Sequence, residues 1–185
     1  MAAQFINETH DGKAEVGLIT YYENEECLKR GKSMVEALAA NCPGAEVVKE
    51  ASSVVADTGM TYTENFLQSN PDMKVIMSIG DGAAIGANQA VKAAGKAEGF
   101  GIYAVDGTIE ALQLMANGDP IKAEVSFGAG WQLGAQAMNV CLSALTTTDF
   151  VKDNFTPNIV VTMDNLKEKI AEWGYEDQID LSKMQ

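Results

Sequence analysis

Short apolar, β-branched runs alternate with segments of helical periodicity along the whole chain, the mark of a parallel sheet wrapped by helices. The runs AEVGLIT (14–20), AEVVK (45–49), KVIMSI (74–79), FGIYAV (100–105), KAEVSF (122–127) and NIVVT (158–162) predict strands. Between the first two, Leu28, Met34, Val35, Leu38 and Ala39 recur mostly at the three- and four-residue spacing of one buried face, which predicts a helix over 24–41. Helices are predicted likewise over 58–69, 83–95, 108–117, 129–145 and 164–173, several of them stopped by Pro or Gly, as in NCPG, SNPD and NGDP. No internal repeat or shift in composition marks a boundary, so residues 1–185 read as one three-layer α/β/α unit. Tyr62, Phe66 and Leu67 are assigned to its core.

In open parallel sheets, ligands sit beyond the carboxyl ends of the strands, where helix N-termini point outward. The loops there are YYENEE (21–26), EASSVVADTG (50–59), GDGAA (80–84), DGT (106–108) and GAGW (128–131). Asp81 and Asp106 follow consecutive strands, and if those strands are neighbours the two carboxylates face one crevice. Glu23, Glu25 and Glu26 suit an exposed helix N-terminus, whose dipole favours acids.

Composition narrows the ligand. With 185 residues and 46% hydrophobic content the chain can bury one sizeable core. A formal charge of −13 disfavours nucleic acid and anionic membranes, both of which need clustered Lys and Arg. The N-terminal MAAQFINETHDGK lacks the sections of a secretory signal, and no apolar run approaches the ~20 residues of a membrane span. Cys27, Cys42 and Cys141 are few and far apart, and are assigned to packing. His10, the single histidine, is expected to be solvated, which leaves no Ser-His-Asp or Cys-His system. No metal-ligand spacing appears either, so neither catalysis nor a cofactor is expected.

The segment IGDGAAIG (79–86) poses the choice between phosphate and hydroxyl. Gly80, Gly82 and Gly86 follow a strand and open a helix, as in a dinucleotide site. Their spacing is GxGxxxG, however, and Asp81 between them would repel a pyrophosphate. A carboxylate instead accepts two vicinal hydroxyls of a neutral polyol, with the glycines supplying the turn and a close backbone approach. A simpler role for each acid, capping the helix it precedes, stays open.

The run NPDMKVIMSIGDGAAIGANQAVKAAGK, followed by GIYAVDGTIEALQLMANGDPIKAEVSFGAGWQLGAQAMNVCLSAL, resembles the type 1 periplasmic binding proteins of sugar ABC transporters, the ribose- and galactose-binding kind. The likeness extends from about Asn7 to Leu166. It implies a two-lobed protein of which this chain is the second lobe, with residues 1–12 as the helix leading into it and residues 129–157 belonging with the first lobe. It implies a sugar-like solute, an ABC permease as partner and a periplasmic or extracellular location at the membrane. By resemblance, Asp106 in VDGT is the characteristic ligand acid at a hinge crossing. Asp81 follows Gly80, which stands where many relatives have an Asn that bonds the sugar. Tyr21 and Tyr22 fall in a pocket-lining loop, Phe127 matches a second hinge crossing, and Trp131 opens a helix beside it, with packing as its simpler role. Gly80, Leu28 and Val54 depart from common ligand contacts, so the ligand need not be a simple sugar. The effector lobe of lactose-repressor-type regulators shares this fold, and a nucleotide-binding enzyme fragment is the reading outside it. Without a first lobe, the face of helix 129–145 carrying Leu133, Ala137, Val140, Cys141 and Ala144 would stay in water, which predicts self-association and weak ligand binding.

Overall fold

A computed structural model describes residues 1–147 and 150–184. Its elements are α1 (Ala2–Thr9), β1 (Ala14–Thr20), α2 (Glu25–Asn41), β2 (Ala45–Ser52), α3 (Ala56–Ser69), β3 (Val75–Ser78), α4 (Asp81–Ala93), β4 (Gly101–Asp106), α5 (Ile109–Ala116), β5 (Ile121–Ser126), α6 (Gly130–Thr146), β6 (Ile159–Thr162) and α7 (Leu166–Trp173). Every strand and helix expected from the pattern is present, with its ends displaced by at most three residues.

The strands form one sheet in the order β2-β1-β3-β4-β5-β6. The chain steps from β1 outward to β2 and then crosses back to β3, so the order reverses between β1 and β3, the place where open parallel sheets bind their ligands. The strands from β2 through β5 pair in parallel, as the α/β/α reading expects, and β6 alone, at the edge of the sheet, runs antiparallel to β5. The cause lies in α6: it leaves from the carboxyl end of β5, and the chain returns from it to that same end to enter β6.

Helices cover both faces, as the three-layer reading requires. On one face Ile6 of α1 and Leu38 of α2 pack on Val16, Leu18, Val75 and Met77. On the other, α3, α4, α5 and α7 bury Phe66, Ala87, Leu112 and Trp173 against Ile19, Ile76 and Ile102. Burial of this apolar surface, at about 25 cal/mol per Å², is the main force holding the layers together.

The glycines of IGDGAAIG have a packing role that the sequence did not reveal. A Cβ on Gly86 would lie 1.9 Å from the Ala56 carbonyl oxygen, and one on Gly82 2.2 Å from that of Val54. The close approach that Gly82 and Gly86 permit is therefore that of α4 to α3 and the turn before it, backbone against backbone.

Smaller expectations also change. Tyr62 is 36% exposed and lies outside the core that holds Phe66 and Leu67. His10 is half-buried, with Nε2 2.9 Å from the Gly99 carbonyl oxygen and its ring edge-on to Phe5. Among the cysteines Cys42 is buried, whereas Cys141 is exposed on α6.

Candidate functional site

β3 and β4 are paired neighbours, so Gly80–Asp81 and Asp106–Thr108 emerge side by side at the carboxyl ends of the sheet. Each acid serves the other's helix rather than its own. The amide of Asp81, the first residue of α4, donates to Asp106 Oδ2 at 3.4 Å. The amide of Thr108, the N-cap of α5, donates to Asp81 Oδ2 at 2.6 Å. This crossed arrangement places two carboxylates against two helix N-termini, whose partial positive charge favours them.

The two acids differ in access. Asp81 is 1% exposed, which corrects the picture of two acids lining an open crevice: its amide and its Oδ2 are engaged beneath the surface. The Asp106 side chain is 47% exposed and is presented to solvent. Asp106 also has φ of 121°, a left-handed conformation that costs a non-glycine residue on the order of 1–3 kcal/mol and so must be held by its surroundings. Gly107 follows at φ 69°, and a Cβ there would lie 2.6 Å from that of Ser126. Burial and the Asp81 charge push the Asp106 carboxyl above its ordinary value, against the Asp81 amide and the Arg30 guanidinium, which lower it.

Arg30 was not singled out in the sequence, yet it completes the site. It leaves α2 two residues after Leu28, which is 40% exposed, donates to the Ile79 carbonyl oxygen, and lies 4.0 Å from Asp106 Oδ1. Its guanidinium sits 5.8 Å from the centroid of the Phe127 ring. An acceptor, a planar donor and an aromatic face thus converge on one spot. Gly80 borders it, since a Cβ at Gly80 would lie 3.2 Å from Asp106 Oδ2.

Glu124 was also missed, because a glutamate inside KAEVSF reads as one polar position of a strand. It is fully buried, and burial first, then the nearby Asp81 and Asp106, raises its carboxyl well above the ordinary range.

The aromatic candidates separate. The Tyr21 hydroxyl donates to Glu23 at 2.7 Å, and Tyr22 is 51% exposed with its amide on Ser52 Oγ. Both stand in the loop after β1. Trp131 is exposed, but its indole N–H donates to the Trp173 carbonyl oxygen at 3.4 Å, which ties it to the end of α7 and not to the acids.

Two concavities lie elsewhere. One of about 740 Å³ is lined by α1, α2 and the sheet face at Met77 and Tyr103. Another of about 660 Å³ lies between α6 and residues 150–154. Neither includes Asp81 or Asp106. No cluster of three or more His, Cys, Asp or Glu side chains arranged to hold a metal occurs among the described residues.

The profile of the periplasmic binding protein domain matches residues 1–148. The chain is 29% identical over 133 residues to the ABC transporter periplasmic-binding protein YphF of Escherichia coli, covering 72% of this chain and 40% of that one. A solute-binding protein of Bacillus halodurans with bound myo-inositol superposes with a TM-score of 0.81 at 22% identity, over 92% of this chain and 59% of that one. The arabinose-binding component from Shewanella sp. ANA-3, bound to L-arabinofuranose, does so at 0.78 and 23% identity, over 95% and 58%.

Proposed function

Because the chain belongs to the periplasmic binding protein domain family, we propose that it is the second lobe of an ABC transporter solute-binding protein and that its ligand is a neutral polyol or sugar. The observation that carries the reading is Asp106, a strained and solvent-facing carboxylate flanked by Arg30 and Phe127. A carboxylate accepts two vicinal hydroxyls, a guanidinium donates to a third, and an aromatic edge covers the apolar side of a ring. Gly80 leaves room beside Asp106 for a ring substituent. The inositol and arabinofuranose held by the two similar structures are ligands of this chemical kind.

In the whole protein the lobes close on the solute by hinge motion, and a permease reads the closed form from the periplasmic side of the membrane. The lobe binds its solute without transforming it. Its isolated form self-associates through α6, where Met138, Leu142 and Leu145 are 60%, 51% and 83% exposed. These residues lie beside the face named from the sequence, in which Leu133 and Val140 are half-buried.

Calorimetry with myo-inositol, L-arabinose and D-allose tests the reading. Asp106→Ala weakens whichever binds by about 1.5–3 kcal/mol, the loss of a charge-assisted hydrogen bond. Unchanged affinity removes Asp106 from the site.

A further inference from the structure

Glu124 sits in the middle of β5, opposite Ala104 of β4 and Val161 of β6, both buried and apolar. Neither of its carboxyl oxygens makes a well-formed hydrogen bond among the described residues, the Gly107 amide being the one backbone donor that acts on it. An isolated carboxylate in such a place is strongly disfavoured. Asp81, which follows β3 two strands away in the sheet and acts on Glu124, offers a resolution. Asp81 uses Oδ2 to hold the Thr108 amide, but its Oδ1 is buried and also lacks a donor. Two neighbouring buried carboxyl groups, with three oxygens that lack a partner, are best served by a proton between them: a single one joins two of those oxygens and leaves one negative charge on the pair.

We propose that Glu124 is a positioning residue of the Asp106 site: it keeps its proton and donates it to Asp81 Oδ1, fixing the carboxylate that holds Thr108 and with it the turn that carries Asp106. The order of action is Glu124 to Asp81, Asp81 to the Thr108 amide, and Thr108 to the 106–108 turn. Asp106 returns the contact through the Asp81 amide. The charged groups that act on Glu124 are Asp81 from α4 and Asp106 from β4, with the Gly107 amide opposing them, while Arg30 from α2 acts on Asp106. Loss of the Glu124 proton sets a second charge against Asp81, so the turn loosens and ligand affinity falls as pH rises.

The role in ligand binding rests on the reading of Asp106 as the ligand acid, whereas the shared proton does not, and two ligand-free measurements separate them. At neutral pH the infrared difference spectrum of the chain minus its Glu124→Gln variant shows the C=O stretch of a protonated carboxyl. The Thr108 amide resonance moves with pH in the chain and stays fixed in the variant. Absence of the band, or identical Thr108 titrations, overturns the proposal. With myo-inositol as probe, Glu124→Ala lowers affinity about tenfold, as expected for one lost hydrogen bond to a charged acceptor. Glu124→Gln, whose amide N–H can still donate to Asp81, recovers most of it and flattens the pH profile. If Glu124→Ala binds the probe as the unaltered chain does, the positioning role fails. Should myo-inositol, arabinose and allose all fail to bind while the infrared and Thr108 results hold, the polyol reading falls and the proton-sharing pair stands.

Discussion

α4 and α6 are both helices rich in apolar and small residues that start beside the carboxyl end of a strand, yet α4 buries nine of its residues and α6 buries none. Their sequences, DGAAIGANQAVKA and GWQLGAQAMNVCLSALT, are similarly apolar. The difference lies in what each helix meets. In α4 the small residues match α3 and the turn before it, so that Gly82 and Gly86 sit against backbone carbonyls of Val54 and Ala56. In α6 a Cβ at Gly134 would meet nothing within 4 Å. Apolar composition therefore signals that a helix needs a partner, and the fit of small residues signals that this chain supplies it. The acids follow the same division: the crossed Asp81–Asp106 bonds are closed within α4, α5 and the sheet, whereas α6 is tied to the rest chiefly at its first turn, through Gly130 to Tyr175 and Trp131 to Trp173.

The largest expected effect comes from breaking the α3–α4 fit. Gly86→Val drives a side chain into the Ala56 carbonyl and lowers stability by about 3 kcal/mol in urea unfolding. A loss below half of that would mean that α3 can move away freely. Asp81→Ala comes next, at about 2 kcal/mol, because it strips the Thr108 amide of its acceptor and leaves Glu124 buried without a partner.

The pH dependence is smaller and has a definite sign. The folded chain holds the Glu124 proton more tightly than the unfolded chain, in which the carboxyl returns to its ordinary value of 4.5. The contribution of Glu124 to stability is thus complete below that value and is lost as pH rises through the raised one. Thermal unfolding scanned across this window shows a downward slope that Glu124→Gln removes. An unaltered slope in the variant assigns it to other groups. Smallest of all, Gly134→Ala stabilises α6 by about 0.5–1 kcal/mol, since the new methyl meets only solvent and the helix loses a flexible residue. A destabilising result would place a packing partner against that face.

Much of the fold is legible in the pattern because strand and helix periodicities are local. The antiparallel β6 is not, because its direction depends on where α6 brings the chain back. Within the site, Asp106 and Gly80 stand out through VDGT and the glycine turn. Arg30 does not, since its reach from α2 to Ile79 and Asp106 is set by how α2 lies over the sheet. Glu124 is hidden for a related reason: its neighbour Asp81 is 43 residues away and meets it only once β3, β4 and β5 are aligned side by side. The glycines of IGDGAAIG were legible as a close approach, but the sequence could not say that the approaching group was α3.

An amide NMR titration of the chain with myo-inositol tests most directly the claim that the ligand is held at Asp106. The account predicts that the resonances of Gly80, Asp106, Gly107 and Gly128 move together and saturate, while those of Met138 to Leu145 on α6 stay in place. Saturable shifts confined to Gln4, Asn7, Met34 and Asn41, which line the cavity beneath α1 and α2, with Asp106 and Gly107 unmoved, would contradict it.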